Sequence, residues 1–534
     1  MKMMYMNISI DFGTSNSVVS IIENNSDIIK HIYDPITGSE LIPTIIYFIQ
    51  DEIDKNLDIN KYEFEKHYFI GSKAKENYNI YKIDENYFNN FKRYLGLCVK
   101  SLKSEFDNIK KKYVVDEDYV YFYILDKNNE EIKISIEDII YLFLNGLNKM
   151  MNMNEPKIYI TAPTYFTDKQ KSQLTECYKR AGFEIKKYYN EPTSGAIFFI
   201  NKYYKDIEIG DKHFIVLDVG GGTTDVTVVK YDFENKICEI IDVDGDNSLG
   251  GIDLNNILIN NIYTKYKIDK NNRKWYKKLL DYTEDIKIKL TFLEKYDVVL
   301  ENVPINNEIK EILKIEYTRH EYNKLIDETI DKIYTMVKMM TEKYSIENIV
   351  LIGGTTITPL LIQKLNNIII NSFFEKNTLY KTIVADGACV MNKLIQNDNE
   401  FTLIDVVPMD IYIKVNNDEY ITVIKKNSRL PLLRELTFTT SRDSQRNIEI
   451  EIYEGNNKIN IANYTIYGIP VMKKGDLIVK INFTISNIGI LSLKINGITN
   501  KNNTSSLYNF EKDIKLLTNS NIKKILKNLI KNKI

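Results

Sequence analysis

The sequence contains little cysteine, histidine and tryptophan, with four Cys, four His and one Trp among 534 residues. The cysteines lie far apart and form no CxxC motif, which favours free thiols in a reducing compartment over a disulfide framework or a zinc site. The absence of an HExxH motif argues against a zinc protease. No apolar run approaches the roughly 18–20 residues of a membrane span, and the first residues show no signal-peptide pattern. We therefore expect a cytoplasmic protein without a membrane span.

An excess of charge of one sign is also missing, because 71 Lys and Arg residues face 73 Asp and Glu residues, a net charge of −2. A nucleic-acid-binding domain normally shows a basic excess, so nucleic acid is not expected as the main partner. Neither GxxxxGK[ST] nor GxGxxG occurs, which excludes a P-loop NTPase and a Rossmann dehydrogenase by motif. The hydrophobic content of 44% and the charged content of 27% are typical of a globular protein.

The sequence pattern changes near residue 400. Before it, strand-like runs such as 214–217 alternate with helix-like stretches such as 322–344, which is typical of α/β domains. From about residue 408 to 497, short alternating strands are separated by turn residues, which indicates an all-β unit. We predict an α/β domain over 1–398, an apolar linker over 399–407, a β domain over 408–505 and a short basic amphipathic helix over 506–534.

Two segments of the first region resemble each other. Each is an apolar strand followed by an aspartate and a turn of glycines and hydroxyls: Asp11, Gly13, Thr14 and Ser15 in the first, and Asp218, Gly220, Gly221, Gly222 and Thr223 in the second. Glycine lets backbone N–H groups approach phosphate oxygens that a Cβ would exclude, and an aspartate at the end of a strand can hold Mg²⁺ directly or through water. One copy alone would be interpreted as an ordinary tight hairpin. Two copies favour a phosphate site made of two related halves.

A third segment is the strand 349–352, which leads into Gly353 and Gly354 before a helical stretch opened by Pro359. Strand–Gly-Gly–helix turns are common for packing reasons, so this segment is a weak signal by itself.

Together these segments resemble the actin-like ATPase fold, and within it the heat-shock protein 70 (Hsp70) family of DnaK-type chaperones. Further matching segments follow in the family's order: GSKAKENY, FKRYLG, TAPTYFTDKQK, NEPTSGAI, GDNSLGGIDL, IVLIGGTTITP, FTLIDVVP, TFTTSRDSQ, EIYEGNN and YGIP. The resemblance covers about residues 7–505. It implies an actin-like ATPase domain of two related lobes that binds ATP or ADP with Mg²⁺, followed by an all-β, sandwich-like peptide-binding domain and a short C-terminal helix.

The resemblance also implies roles for single residues. Asp11 and Asp218 resemble the carboxylates of the Mg²⁺ shell, and Lys92 resembles the lysine that orients the attacking water. Glu191 resembles the carboxylate that contacts the metal's water shell and senses the nucleotide. Thr223, with Lys92, Glu191 and Asp218, completes the expected catalytic set. Phosphoryl transfer needs neutralised charge and an aligned water more than covalent chemistry, so the set is coherent. Without the motifs, Lys92 would be interpreted as a surface lysine and Glu191 as a helix cap.

The sequence departs from the family where adenosine is bound. Glu284, Lys287 and Thr291 match the adenosine-contact helix, but Ile288 stands where the family stacks an arginine on adenine. Ile357 replaces a second arginine, and the family's acidic Asn-Pro-Asp-Glu segment is Leu-Tyr-Lys-Thr at 379–382. Losing a guanidinium stack removes about 0.5–2 kcal/mol, so we expect weakened nucleotide binding.

In the β region, five residues match the apolar lining of the family's peptide groove: Ile413, Phe438, Ile448, Ile450 and Val479. Each of them is equally consistent with sheet core. Asn416 and Ser441 are polar where the family arches over bound peptide.

In the linker, Leu403 and Ile404 are expected to insert against the ATPase domain when ATP is bound, because exposed branched apolar residues gain by burial. Asp405 and Lys171 would lie near a site for a J-domain co-chaperone, by resemblance.

At 522–534, isoleucines and leucines alternate with lysines at helical spacing. This segment is either a basic membrane-surface helix or the family's first lid helix, which we favour. A full lid is expected to be missing.

The leading interpretation of function is an ATP-driven chaperone that binds extended apolar peptide segments of unfolded proteins. A J-domain co-chaperone and a nucleotide exchange factor would be its partners. The alternative is a regulatory or holdase relative with weak or no ATP turnover. A sugar kinase of the same fold is third, because the linker and the β domain would have no role in it.

Overall fold

The computed structural model describes residues 6–23, 26–97, 111–116, 119–204, 212–268, 273–305, 308–369, 371–373, 381–397, 401–415, 419–456, 458–467, 471–486, 491–501 and 504–515. The chain divides into two compact units. The first unit comprises Met1–Thr164, Cys177–Lys236 and Asp244–Phe401, and the second comprises Tyr165–Glu176, Ile237–Val243 and Thr402–Ile534.

The strands in the described ranges are β1 (Met6–Phe12), β2 (Asn16–Glu23), β3 (Ile29–His31), β4 (Ile42–Pro43), β5 (Ile45–Phe48), β6 (Tyr68–Ile70), β7 (Tyr87–Asn89), β8 (Tyr113–Asp116), β9 (Tyr119–Leu125), β10 (Glu131–Ser135), β11 (Lys157–Ala162), β12 (Glu184–Asn190), β13 (Lys212–Val219), β14 (Thr224–Asp232), β15 (Ile237–Asp246), β16 (Lys295–Ile305), β17 (Glu308–Thr318), β18 (Asn348–Ile352), β19 (Asn371–Phe373), β20 (Thr402–Ile404), β21 (Ile411–Val415), β22 (Glu419–Ile424), β23 (Leu432–Thr439), β24 (Asn447–Glu454), β25 (Ile459–Tyr467), β26 (Leu477–Ile485), β27 (Leu491–Lys501) and β28 (Thr504–Lys515).

The α-helices in these ranges are α1 (Gly71–Tyr81), α2 (Ile136–Met151), α3 (Asp168–Arg180), α4 (Glu191–Phe199), α5 (Gly251–Tyr266), α6 (Arg273–Phe292), α7 (Arg319–Tyr344), α8 (Pro359–Leu365) and α9 (Ile383–Asn397). Short 3₁₀ turns occur at Gln50–Glu52, Ile59–Lys61 and Phe91–Tyr94, and a π turn at Ile200–Tyr204 continues α4.

Two sheets of the first unit share one pairing pattern. In the first lobe the strand order is β12-β11-β1-β2, with β1 parallel to β11 and antiparallel to β2. In the second lobe the order is β19-β18-β13-β14, with β13 parallel to β18 and antiparallel to β14. The hairpins β1–β2 and β13–β14 therefore occupy equivalent places. This agrees with the two related halves that the paired motifs predict.

Helices α4 and α9 lie between these two sheets. The two helices pack on each other. In addition, α9 packs against β1 and β2, and α4 packs against β13 and β14. Their contact is so close that a Cβ added at Gly387 of α9 would lie 1.8 Å from the carbonyl oxygen of Ser194 in α4. All nine residues of α4 are buried, so its first residue, Glu191, is held at the centre of the unit.

Smaller sheets complete the first unit. Strands β6-β5-β7 and β10-β9-β8 form three-stranded sheets, and β16 and β17 form a long two-stranded hairpin. Helix α7 begins with a capping box in which Thr318 and Glu321 exchange side-chain and backbone hydrogen bonds.

The second unit contains two four-stranded antiparallel sheets, in the orders β22-β21-β24-β25 and β23-β26-β27-β28. Their inner faces share one core of mostly Ile, Val, Leu and Phe, as expected for a sandwich. Strand β15 enters this unit through its first residues, where Ile237–Glu239 pair in parallel with β20.

The predicted end of the β domain at residue 505 is wrong. Strand β28 continues from Thr504 to Lys515 and pairs with β27, placing Phe510 opposite Ile495. The sheet therefore continues over residues where a helix was expected. The amphipathic segment at 522–534 lies outside the described residues.

Candidate functional site

One cleft of the first unit brings together the residues predicted from the motifs. It encloses about 1240 Å³ of space, open to solvent. The predicted residues on its wall are Asp11, Gly13, Thr14, Ser15, Lys92, Glu191, Asp218, Gly220, Gly221, Thr223, Glu284, Lys287, Thr291, Gly353 and Gly354. Gly222 lies just behind the wall, where an added Cβ would be 2.7 Å from Thr14 Oγ1.

The turn after β1 is fixed by Thr44. The Thr44 hydroxyl donates to the carbonyl oxygen of Gly13 at 2.8 Å, and the Thr44 backbone N–H donates to that of Ser15 at 2.9 Å. A Cβ at Gly13 would lie 2.2 Å from the carbonyl oxygen of Asn16. Only glycine therefore permits this turn, and its backbone is held in place for contact with a ligand.

The turn after β13 is held from two sides. The carbonyl oxygen of Gly220 accepts hydrogen bonds from the backbone N–H of Gly251 at 3.0 Å and from Thr355 Oγ1 at 2.9 Å. A Cβ at Gly221 would lie 2.2 Å from Ser15 Oγ of the other turn. The two turns thus approach each other so closely that a side chain would fill the gap between them, which is the geometry of a phosphate cradle.

Between the two turns lies a group that we call the carboxylate end: Asp11, Lys92, Glu191, Asp218 and Asp225. Lys92 belongs to the 3₁₀ turn Phe91–Tyr94 and is 3% exposed. Its Nζ lies 3.1 Å from Glu191 Oε1 and 5.7 Å from the centre of the Phe12 ring. A lysine buried in this way is not a surface residue. Its ammonium group is directed into the cleft by the pair with Glu191.

The carboxylates at this end have raised pKa values. Burial raises the pKa of Glu191 to about 8, against the opposing effect of Lys92 and with further increases from Asp11 and Asp225. Burial and the neighbouring carboxylates raise the pKa of Asp218 well above its usual value. Burial also raises the pKa of Asp11, although Lys92 and a 2.9 Å hydrogen bond from Thr161 Oγ1 oppose the shift. Four carboxyl groups meet one ammonium group here, so a bound cation would favour the ionised form of these carboxyl groups.

Asp225 is a member that the sequence analysis missed. It pairs with Asp218 in the register of the β13–β14 hairpin, is 1% exposed and accepts the backbone N–H of Thr164 at 3.1 Å. The signal was present, because Asp225 ends the same GGGTTD motif that supplied Asp218.

The carboxylate end fits a hydrated Mg²⁺ accompanied by phosphate oxygens. Within the ranges that the structure describes, no group of three or more His, Cys, Asp or Glu residues is arranged to hold a metal ion by itself. Mg²⁺ keeps several waters and is usually bound by one or two carboxylates plus substrate phosphates. Asp11 and Asp218, one from each hairpin, suit that mode beside the glycine cradle.

A second missed feature joins the two lobes next to Lys92. The Arg93 guanidinium donates from one terminal nitrogen to the carbonyl oxygen of Ser248 at 2.8 Å and lies 3.3 Å from Asp253 Oδ2. The Asp253 carboxylate also accepts the backbone N–H of Gly250 at the start of α5, at 2.8 Å. The turn that carries Lys92 is thereby fastened to the opposite lobe.

The other end of the cleft carries the expected adenosine-contact residues. Glu284 Oε2 accepts hydrogen bonds of 2.6 Å from Asn255 Nδ2 and from Lys287 Nζ. Lys287 Nζ also donates to the carbonyl oxygen of Gly251 at 3.1 Å, and Thr291 Oγ1 donates to the carbonyl oxygen of Lys287. Burial would raise the pKa of Glu284, but Lys287 and these hydrogen bonds hold it below its usual value.

Beside them lies the apolar end of the cleft, which comprises Ile288, Phe292 and Ile357. All three line the cleft, with Ile288 45% exposed and Phe292 71% exposed. The two isoleucines were singled out from the sequence, whereas Phe292 and Lys381 were not predicted as residues of the wall.

Comparison with known proteins agrees with this geometry. The family model described as "Hsp70 protein" matches residues 7–533. The chain belongs to the Hsp70 family. Because the match runs through the linker and the β unit, the sugar-kinase alternative is not supported.

Relatives of the Hsp70 family are similar to this chain over most of its length. Chaperone protein HscA of Buchnera aphidicola subsp. Baizongia pistaciae (strain Bp) is 28% identical over 512 residues, covering 91% of this chain and 91% of that protein. The HscA homolog of Rickettsia prowazekii (strain Madrid E) is 28% identical over 496 residues, covering 91% and 74%. Chaperone protein dnaK of Phaeodactylum tricornutum (strain CCAP 1055/1) is 25% identical over 508 residues, covering 91% and 78%.

The residues assigned by Hsp70 resemblance to the peptide groove are not equivalent in the structure. Ile413, Ile450 and Val479 are buried in the shared core of the two sheets, whereas Phe438 and Ile448 are only partly buried against it. The sheet-core interpretation therefore describes the first three. Ser441 is exposed, and its backbone N–H donates to Gln445 Oε1 at 2.9 Å. Asn416 lies outside the described residues.

The linker residues belong to the second unit. In β20, Leu403 pairs with Cys238 and Ile404 with Glu239, and both linker side chains are half-buried. The backbone N–H of Val406 donates to Asp405 Oδ1 at 2.8 Å. Lys171 lies in α3, and its backbone N–H donates to the carbonyl oxygen of Thr167. Insertion of the linker on ATP binding, and a J-domain site near Asp405 and Lys171, stay predictions.

Among the helices that the structure describes, none is both long and apolar enough to cross a bilayer.

Proposed function

We propose that this chain is a Mg²⁺-dependent ATPase that acts as a chaperone for extended apolar peptide segments. The observation that carries the proposal is the buried Lys92–Glu191 pair between two glycine turns whose facing atoms leave no room for a side chain. The names of the HscA and DnaK relatives support the chaperone role.

The residues of the cleft divide the work of phosphoryl transfer. Backbone N–H groups of the two turns, with the hydroxyls of Thr14, Ser15 and Thr223, would hold phosphate oxygens. Mg²⁺, when bound, would neutralise charge that develops on these oxygens. Asp11 and Asp218 would hold the ion's water shell. Positioning and electrostatics account for most of the catalysis in such reactions.

Lys92 would orient the attacking water. An ammonium group has three donors, and the one given to Glu191 Oε1 at 3.1 Å fixes the direction of the group toward the cleft. The link from Arg93 to Asp253 would keep this turn against the second lobe during the reaction.

We further propose that the linker couples hydrolysis to peptide binding. Burial of Leu403 and Ile404 beside β15 would favour one arrangement of the linker, and release of β20 would favour another. A J-domain co-chaperone, a nucleotide exchange factor and a cytoplasmic location remain predictions from the resemblance.

The test is a peptide-stimulated ATPase assay on wild type, Lys92→Ala and Leu403→Asp. Lys92→Ala should bind MgATP but lose most hydrolysis, because the turns hold the phosphates while Lys92 aligns the water. Leu403→Asp should keep basal hydrolysis and lose stimulation by peptide. Equal turnover by wild type and Lys92→Ala would remove Lys92 from the mechanism.

The second candidate function is a regulatory or holdase protein with weak or no turnover. The apolar end favours it, because Ile288 and Ile357 replace the family's arginines. The same assay separates the two candidates, since a holdase would bind peptide without hydrolysing ATP above the Lys92→Ala level.

A further inference from the structure

We infer that Phe292, together with Ile288 and Ile357, clamps the nucleobase by stacking and apolar contact, so that this cleft discriminates little between adenine and guanine nucleotides. The inference rests on the proposed function, because it places the base of a nucleotide whose phosphates lie in the glycine cradle.

The positions of the three side chains support the clamp. Ile288 and Phe292 are four residues apart, so they lie on one face of α6, one turn above the other. Both line the cleft that holds the glycine turns, and Ile357 lines it from the loop that follows β18. A flat ligand group that enters this end therefore has apolar side chains from two separate elements beside it.

The exposed ring of Phe292 would be covered by a ligand bound in the cleft. Its side chain is 71% exposed at the end of α6, next to a cleft that is otherwise rich in charge. A large apolar group in water gains free energy when a partner covers it. Phe292 lines the same cleft as the phosphate cradle, so the base of a bound nucleotide is the partner that we expect to cover it.

Several polar side chains at this end already form hydrogen bonds with protein atoms. Glu284 accepts from Asn255 and Lys287, and Thr291 Oγ1 donates to the carbonyl oxygen of Lys287. On the facing loop, Thr355 Oγ1 donates to the carbonyl oxygen of Gly220, and Thr358 Oγ1 to that of Thr355. Hydrogen bonds to a base edge are what distinguish one base from another, whereas stacking tolerates any base because each has a π-face.

The test measures the affinity of three Mg²⁺-bound probes, ADP, GDP and inorganic pyrophosphate, by calorimetric titration. The proteins are wild type, Phe292→Ala and Leu293→Ala. Leu293 is a matched control because it is the next residue, is 44% exposed and does not line the cleft. Thermal melting of each variant serves as the check on folding.

Wild type should bind ADP and GDP within about fivefold of each other, because base stacking is sequence-tolerant. Phe292→Ala should weaken both nucleotides by roughly fivefold or more, the loss expected for one stacked ring, and leave pyrophosphate unchanged. Leu293→Ala should match wild type with all three probes.

Three results would overturn the inference alone: equal effects of Phe292→Ala and Leu293→Ala, an equal loss of pyrophosphate and ADP affinity in Phe292→Ala, or a preference for ADP over GDP of a hundredfold or more. A wild-type protein that binds none of the three probes would contradict the proposed function, and this inference with it.

Discussion

The two ends of the cleft are built from different chemistry. At the carboxylate end, Lys92 and three of the four carboxylates are buried and Asp11 is half-buried. Gly221 and Ser15 come so close there that a single added Cβ would collide. At the apolar end, Ile288 and Phe292 are exposed, and the polar residues beside them pair with one another. The carboxylate end therefore tolerates few amino-acid substitutions, whereas the apolar end tolerates many.

The difference shows which part of the cleft is tied to the chemistry. Phosphate oxygens and an aligned water demand fixed donors and fixed charges, because small displacements are costly in phosphoryl transfer. A base can be held by any apolar surface of suitable shape. Under the proposed function, the contacts to the base can therefore change while the residues at the carboxylate end stay the same.

The largest effect is expected from Asp11→Asn at the carboxylate end. The amide keeps the shape of Asp11 but removes a charge from the expected Mg²⁺ shell, so turnover should fall by about 100-fold or more. Saturation of the ATPase should also require more Mg²⁺. Asp281→Asn is the control, because Asp281 is a surface carboxylate 63% exposed on α6 and does not line the cleft. An unchanged Mg²⁺ titration in Asp11→Asn would rule out this role.

A smaller effect is expected from Lys381→Asp, on the wall of the cleft. Lys381 Cε lies 4.0 Å from the position of a Cβ at Gly354, and its charge lowers the pKa of Glu284. Reversing this charge should weaken ADP and GDP alike, by about tenfold at low salt and much less at 1 M salt, where screening acts over about 3 Å. Lys338→Asp on α7 is the control, because Lys338 lies outside the cleft wall. A loss confined to ADP would show that Lys381 reads the base.

The smallest effect concerns the stability of the protein without nucleotide and Mg²⁺. The folded pKa of Glu191 is raised to about 8, so its contribution to stability is present below the unfolded pKa near 4.5 and is lost as pH rises toward 8. The pKa of Glu284 is lowered, so its contribution is present above 4.5 and is lost only as pH falls. Between pH 5.5 and 8, the melting temperature of the wild type should therefore fall as pH rises. This fall should be smaller in Glu191→Gln, whereas Glu284→Gln should show the same change of melting temperature with pH as the wild type. Identical slopes for wild type and Glu191→Gln would contradict the burial of this charge.

Most residues of the carboxylate end could be predicted from the sequence because they lie in short motifs. A strand that ends in Asp and Gly dictates its own turn, so Asp11 and Asp218 could be placed before their distant partners were known. The strands of the β unit were also predictable where apolar residues alternate. Strand β25 is harder to predict, because asparagines at 460 and 463 resemble turn residues.

Contacts between distant segments could not be predicted. Arg93 meets Asp253 across 160 residues, and Phe292 and Ile357 line one cleft although they come from α6 and the loop after β18. Alternation in a strand shows that two faces differ, but it does not show which face meets a second sheet. For that reason Ile413 and Ile450 could not be separated from Phe438 in advance.

The decisive measurement is the single-turnover hydrolysis rate of MgATP and of MgGTP by the wild-type protein. We expect the two rates to lie within about fivefold of each other, because the carboxylate end acts on the phosphates and the apolar end tolerates either base. Lys92→Ala should lose most of both reactions together. Two results would contradict this division between the two ends of the cleft. One is hydrolysis of MgATP without hydrolysis of MgGTP, and the other is hydrolysis of neither nucleotide by the wild-type protein.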